Sequence, residues 1–284
     1  MDPERIKVYL ESLDDGSGIP DYLKKIEKKA REDNVPIIRP ATRNFMRMMV
    51  AALRPSRILE VGCAVGYSAL IMQEVCPDAE IITIERDEKR GEEAALNFSK
   101  VLIEQEDRAL DELFALSENK SEKGNEEDAA EPEKAGEDGL EVSARTGADK
   151  AAESEEAGAK GAMAQVRRWT SQENKGSITL LMVDADEILP SLKGHFDLIF
   201  MDAAKGQYIV WLPEIKRLLK TGGLLLSDNI LQEGDILESH YAVERRNRTI
   251  YKRMRSYLYE LTHDNELVTS ILSDGDGMAL SVKK

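Results

Sequence analysis

A doubly wound, mostly parallel α/β sheet, finished by an antiparallel pair of C-terminal strands, is the fold this sequence predicts. Three observations predict it. Short apolar runs alternate with amphipathic stretches from residue 56 onward, a glycine turn follows the first run, and acidic residues end the runs at Glu85, Asp202 and Asp228. The 284 residues, 42% hydrophobic and 33% charged, suffice for one sizeable core.

The elements follow in order. Residues 1–55 read as N-terminal helices: "IPDYLKKIEKKAREDN" has amphipathic spacing, "VPIIRP" interrupts it, and "ATRNFMRMMVAAL" resumes it as far as Pro55. The domain proper is assigned to 56–284. "RILEVG" is a strand, "GYSALIMQEV" its helix, "EIITIE" a second strand and "KRGEEAALNFSKV" a second helix. The rhythm then stalls, and the next strand, "SITLLMVDA", begins only at Ser177. An insertion of about 101–175 is expected here. Its first part, "VLIEQEDRALDELFALSE", has helical spacing, and its middle is rich in Ala, Glu, Gly and Lys with few large apolar side chains, a composition that favours disorder. "AMAQVRRWT" re-enters the fold through Trp169. "FDLIFMD", "YIVWLPEIKRLL" and "GGLLLSDN" then supply strand, helix and strand, and a basic helix, "ERRNRTIYKRMRSYLYELT", follows. "LVTSIL" and "GMALSV" close the chain as the antiparallel pair.

Composition narrows the setting. No run reaches the roughly 18 apolar residues of a membrane span, and "MDPERIKVYL" lacks the apolar core of a signal peptide. Cys63 and Cys76 form neither a framework nor a CxxC pair, so a reducing cytoplasm is the expected location. The net charge of −15 is uneven: residues 118–160 hold 14 acidic and 6 basic side chains, a net −8, which leaves −7 elsewhere. The mean charge therefore says little about any one face.

"EVGCAVGYS" sits between the first strand and its helix. Gly62 and Gly66 permit a tight turn and a close backbone approach, but their G-x-x-x-G spacing differs from the G-x-G-x-x-G that cradles a dinucleotide pyrophosphate. Glu60 would repel phosphates and suits an ammonium or sulfonium. Glu85, ending the second strand, is placed to accept hydrogen bonds from ribose hydroxyls. Taken together they favour S-adenosylmethionine over a nicotinamide cofactor, with a plain structural turn and a solvated carboxylate as the alternative.

Asp202 follows "FDLIF", and Asp228 with Asn229 follows "GLLLS". One strand–helix–strand repeat separates them, so adjacent strand ends would present three oxygen donors to one point in the ligand crevice. Two carboxylates and an amide suit a hard divalent ion such as magnesium or manganese. Helix capping by Asp202 and a turn at Asp228–Asn229 are the structural alternatives. Lys205 would take a proton from a metal-chelated hydroxyl or steady its negative charge.

The motifs "RILEVGCAVGYSALIM", "ITIERD", "FDLIFMDAAKGQY" and "LLKTGGLLLSDNILQEG" resemble those of the metal-dependent O-methyltransferases of the catechol and caffeoyl-CoA type. The resemblance covers about residues 19–98 and 176–284 and implies a Rossmann-like methyltransferase sheet. It implies cofactor contacts at Glu60, Gly62, Gly66, Tyr67, Ser68, Glu85 and Asp202, and at Asp184 and Ala185 for the adenine, although Val183 replaces a glycine usual there. It further implies a metal triad of Asp202, Asp228 and Asn229, catalysis by Lys205 with Asp202, and a homodimer. Within the family, "DAAKGQY", "VPIIRPAT" and "RNRTI…DGDGMALSVKK" are most similar to the bacterial branch that methylates 5-hydroxyuridine at the tRNA wobble position.

For tRNA the chain offers Arg245, Arg246, Arg248, Lys252, Arg253 and Arg255 near one helix, with Tyr251 or Tyr257 as stacking residues and Arg39 and Arg43 as outlying additions. A solvated helix whose tyrosines face the core is the alternative. Trp211, Leu212, Ile215, Leu218 and Leu219 are spaced as a buried stripe. The remaining hypotheses are the same chemistry on a small catechol, phenol or acyl-CoA ester, and a noncatalytic RNA-binding protein on the same fold.

Overall fold

The computed structural model describes residues 16–105, 165–238, 244–273 and 275–284, with a few positions before residue 15. Among these residues nine strands form one sheet, in the order β3-β4-β5-β2-β1-β6-β7-β9-β8. The strands are β1 (Arg57–Val61), β2 (Glu80–Glu85), β3 (Ile103–Gln105), β4 (Gln165–Thr170), β5 (Ser177–Met182), β6 (Phe196–Met201), β7 (Leu219–Asp228), β8 (Leu267–Leu272) and β9 (Met278–Lys283). The central run β5-β2-β1-β6-β7 is parallel, and antiparallel pairs flank it on both sides. The sequence anticipates the C-terminal pair and not the other.

The helices are α1 (Asp21–Glu32), α2 (Pro40–Leu53), α3 (Tyr67–Val75), α4 (Glu88–Phe98), α5 (Ala185–Ile188), α6 (Tyr208–Leu218) and α7 (Arg248–His263). They form two layers because the central strands are apolar on both faces. Ile58, Ile81, Leu180, Leu198 and Leu224 pack against α1–α4. Their neighbours along each strand, Leu59, Ile82, Leu181, Ile199 and Leu225, pack against α5–α7. Pro40 opens α2 at a position where its missing N–H costs nothing, and Arg54 ends that helix in a left-handed conformation. Trp211, Leu212, Ile215, Leu218 and Leu219 are buried, as their spacing predicts.

The insertion expected at about 101–175 is narrower than that. Ile103–Gln105 is a strand rather than a continued helix, and Gln165–Thr170 pairs with both β3 and β5. Trp169 anchors this edge: it is fully buried, meets Phe98 edge-on at 5.2 Å and donates from Nε1 to Ser99 Oγ at 2.9 Å. The low-complexity stretch at 106–164 lies outside the described residues. Gln165 pairs with Met182, the last residue of β5, so that stretch rejoins the sheet at the end where the parallel strands terminate.

Candidate active site

Register brings the acidic strand ends into one row. Val61 pairs with Ile84 on one side and with Met201 on the other, and Met201 pairs with Ser227. The next residue along each strand is Glu85, Gly62, Asp202 and Asp228, in that spatial order. The parallel ladder continues one bond further, Gly62 N–H donating to Ile84 O at 3.0 Å and Asp202 N–H to Val61 O at 3.0 Å. A cavity of about 480 Å³ opens over this row, where ligands of open α/β sheets bind.

Gly62, Tyr67, Ser68, Glu85, Asp184 and Ala185 line one part of the cavity, and Asp202, Lys205 and Asn229 another. Glu85 is anchored by two backbone amides, accepting from Ala64 N at 2.7 Å and from Asp87 N at 2.9 Å. Each of its oxygens keeps a lone pair for a further donor. Asp184 caps α5 through Asp186 N at 3.0 Å and lies 3.5 Å from Arg86. Tyr67 gives its hydroxyl to Glu27 Oε2 at 2.8 Å and so ties the glycine turn to α1.

Three of the predicted residues do not line the cavity. Glu60 is fully buried behind the turn, where Thr83 donates to Oε2 and Oε1 has no hydrogen-bond partner. Its side chain alternates to the face opposite Leu59 and Val61, the face of Ile58, which the α1–α4 layer covers. Burial pushes its carboxyl up to about 7, helped by the charges of Asp202 and Glu85 and opposed by the hydroxyls of Ser68 and Thr83. Gly66 serves packing: at φ +78, a Cβ there would lie 2.5 Å from the Phe98 ring. Asp228 is buried, with its Oδ2 3.2 Å from the side-chain amide of Asn229, which does line the cavity.

Lys205 enters from a single 3-10 turn, Lys205–Gln207, after β6. Its Nζ donates to Asp202 Oδ1 at 2.9 Å, to the Tyr208 hydroxyl at 3.1 Å and to Asp228 O at 3.3 Å. Burial works to lower the pKa of this ammonium, but Tyr208 and Asp202 outweigh it and the net shift is upward. Tyr208, which sequence reasoning passed over, is fully buried and donates to Met201 O at 2.9 Å while accepting from Ala203 N at 3.2 Å. Burial pushes its phenol up to about 12.

Asn229, at φ +53, faces both carboxylates. With Nδ2 inward it donates to Asp228 Oδ2 at 3.2 Å and to Asp202 Oδ1 at 3.2 Å. With Oδ1 inward, three oxygens meet and the Lys205 ammonium donates to two of them, to Asp202 Oδ1 at 2.9 Å and to Asn229 Oδ1 at 3.4 Å; such a set of hard oxygens also suits a divalent cation. Among the described residues no group of three or more His, Cys, Asp and Glu side chains is gathered for a metal, so the donors here are two carboxylates and one amide. Burial, and next to it the Asp202 charge, holds the Asp228 carboxyl above its ordinary range. Thr42, another residue that the sequence did not single out, donates to Asp228 Oδ1 at 3.2 Å.

The family described as "Methyltransferase domain" matches residues 59–230, from β1 through the Asp228–Asn229 corner. The chain belongs to the methyltransferase-domain family. A second family, described as "O-methyltransferase", matches residues 178–284. Among curated relatives, Tapetum-specific methyltransferase 1 of Arabidopsis thaliana is 28% identical over 95 residues, 34% of this chain and 41% of that protein. The catechol O-methyltransferase of Niastella koreensis is 30% identical over 109 residues, 35% of this chain and 47% of that protein. The chain thus spans less than half the length of the curated relatives it matches. Solved methyltransferases share the fold across almost the whole chain. The Podospora anserina methyltransferase PaMTH1 bound to SAH aligns with a TM-score of 0.63 at 21% identity, covering 99% of this chain and 94% of that one. An O-methyltransferase from Bacillus cereus in complex with SAH aligns at 0.61 and 16% identity, covering 97% of each.

Relative to other methyltransferase-domain features, the basic helix is only partly as expected. Tyr251 and Tyr257 are buried in the α7 face that packs on the sheet, so neither is free to stack on a base. Arg43 is also buried, paired with Asp14 and with Glu27 at 3.0 Å, and adds nothing to a surface patch. Arg253 donates to Gly206 O at 3.0 Å, and Arg255 to Ile236 O at 3.2 Å. Arg246 lies 2.7 Å from Glu244. Arg245, Arg246 and Lys252 are exposed near the start of α7. Among the described residues no helix is long and apolar enough to cross a membrane.

Proposed function

We propose that this chain is an S-adenosylmethionine-dependent O-methyltransferase that acts on an acceptor with two neighbouring oxygens and works with a divalent cation. One observation carries the reading: a single cavity joins a glycine turn and Glu85 to the Asp202, Asn229 and Lys205 side chains. The names of the curated relatives, catechol and caffeoyl-CoA O-methyltransferases among them, support the same chemistry.

The residues divide the work. Glu85 would accept hydrogen bonds from the ribose, with its carboxylate already aimed by Ala64 and Asp87. Asp184 and Ala185 would border the adenine. Asp202, Asp228 and Asn229 would hold the cation through three hard oxygens. When bound, the cofactor supplies an electrophilic methyl group and the cation favours the ionised form of an acceptor hydroxyl. Lys205, held as an ammonium by Asp202 and Tyr208, is suited to steady the charge on that oxygen. To act as the base it must first exchange its pairing with Asp202. Ile37 and Ile38 of the α1–α2 connection give the same cavity part of its apolar wall.

A second acceptor reading, 5-hydroxyuridine of tRNA, is supported by the basic side chains near the start of α7. Arg253 ties that helix to Gly206, next to Lys205, so phosphates bound by Arg245, Arg246, Arg248 or Lys252 would lie beside the acceptor. The vicinal oxygen atoms of 5-hydroxyuracil match the chelating pair of a catechol.

The test is methyl transfer from labelled cofactor by the purified full chain with Mg2+, with and without EDTA. Catechol, caffeoyl-CoA and tRNA carrying 5-hydroxyuridine serve as acceptors. Transfer to any of them that EDTA abolishes supports the metal-dependent reading. Transfer undiminished by EDTA removes the cation, and preference for tRNA over catechol selects the second acceptor.

A further inference from the structure

Asp228 receives two hydrogen bonds on the same oxygen. Thr42 Oγ1 donates to Oδ1 at 3.2 Å, and the Asn229 backbone N–H donates to it at 2.9 Å. The other oxygen, Oδ2, is thereby left on the side of the Asn229 amide, 3.2 Å from the inward-facing amide atom. A carboxylate rotates broadly about its last torsion, so two donors on one oxygen select one orientation.

Thr42 comes from a distant part of the chain and is itself held firmly. It lies in the first turn of α2, is 1% exposed and sits beside the turn that carries Gly275, where a Cβ would stand 3.8 Å from Thr42 Oγ1. Its neighbour Arg43 is clamped by Asp14 and by Glu27, which also accepts the Tyr67 hydroxyl. The first turn of α2 is thus fixed to the glycine-turn side of the cavity by one residue and to Asp228 by the next. Filling the space would need only a valine-shaped side chain. The hydroxyl acts on the carboxylate.

We propose that Thr42 is a positioning residue for the divalent-cation site, aiming Asp228 Oδ2 at the point shared with Asp202 and Asn229. The inference rests on the metal-dependent reading above. Groups that orient a metal-binding side chain are commonly worth about 10- to 100-fold in metal affinity.

The experiment titrates Mn2+ alone into the full-length chain and follows it by electron paramagnetic resonance, for wild type, Thr42→Val, Thr42→Ser and Asp202→Ala. S-adenosylhomocysteine affinity is measured in parallel by calorimetry. Thr42→Val is expected to weaken Mn2+ binding by about 10-fold or more. Thr42→Ser, which keeps the hydroxyl, is expected to stay within about threefold of wild type, with S-adenosylhomocysteine affinity unchanged in both. If Thr42→Val binds Mn2+ as wild type does, while Asp202→Ala does not, the Thr42 assignment alone is overturned. Loss of S-adenosylhomocysteine and Mn2+ together in Thr42→Val would assign the hydroxyl to the fold and overturn it equally. If wild type and Asp202→Ala bind Mn2+ alike, the metal-dependent reading fails and takes this inference with it.

Discussion

Gly62 and Asp202 lie back to back: a Cβ on Gly62 would stand 2.2 Å from the Asp202 carbonyl oxygen. The glycine follows β1, the aspartate follows β6, and no side chain fits between them. Gly62 also has φ +103, which side-chain-bearing residues rarely adopt. Gly62→Ala is therefore expected to destabilise the protein by at least about 2 kcal/mol through backbone strain and the forced separation of the two strand ends. Urea denaturation measures the first effect. Calorimetry with S-adenosylhomocysteine should show weakened binding, because the glycine turn and the Asp202 strand end move together.

Lys205 touches Asp202, Tyr208 and the Asp228 carbonyl at once. On the proposed chemistry, Lys205→Met should lower kcat by about 10²- to 10⁴-fold, the range for one positioned acid–base or charge-stabilising group. Affinity for S-adenosylhomocysteine should change by less than about threefold, since the glycine turn and Glu85 are untouched. A variant with near wild-type kcat on every acceptor would remove Lys205 from the chemistry.

Glu60 provides a pH test. Its folded carboxyl is raised from 4.5 to about 7, chiefly by burial. Between those values the unfolded chain releases this proton while the folded protein keeps it, so stability falls as pH rises through the window. The span corresponds to about 3 kcal/mol at full development. Glu60→Gln removes the titration. Its stability relative to wild type should therefore shift by about 3 kcal/mol in its favour between pH 4.5 and pH 8, measured by denaturant titration at several pH values. Parallel pH curves for the two proteins would show that Glu60 titrates normally.

Trp169 holds the β3–β4 edge where the chain returns from the stretch at 106–164. Its indole is fully buried against Phe98 and bonded to Ser99. Trp169→Ala should cost about 3–5 kcal/mol in urea unfolding, and Trp169→Phe distinctly less, because it keeps the ring contact and loses only the Nε1 bond. Equal losses in the two variants would mean that the hydrogen bond rather than the packing secures the edge.

The sequence by itself determined the central βα rhythm, the C-terminal strand pair, and the strand ends that carry Glu85, Asp202 and Asp228. These features are local. Apolar runs buried on both faces name their own strands, and a strand end in a parallel sheet has a known place in the crevice. Ile103–Gln105 and Gln165–Thr170 escaped because neither run alternates cleanly: the first becomes a strand only by pairing across the stretch that separates them, and the second by pairing antiparallel with β5. Glu60 looked like a ligand group because its position in the chain is beside the turn; strand alternation turned it inward. Only the tertiary structure decided that Thr42 meets Asp228 and that Tyr208 meets Lys205. It also decided that Tyr251 and Tyr257 belong to the core, because amphipathic spacing permits either face of α7 to be wet until the sheet chooses one.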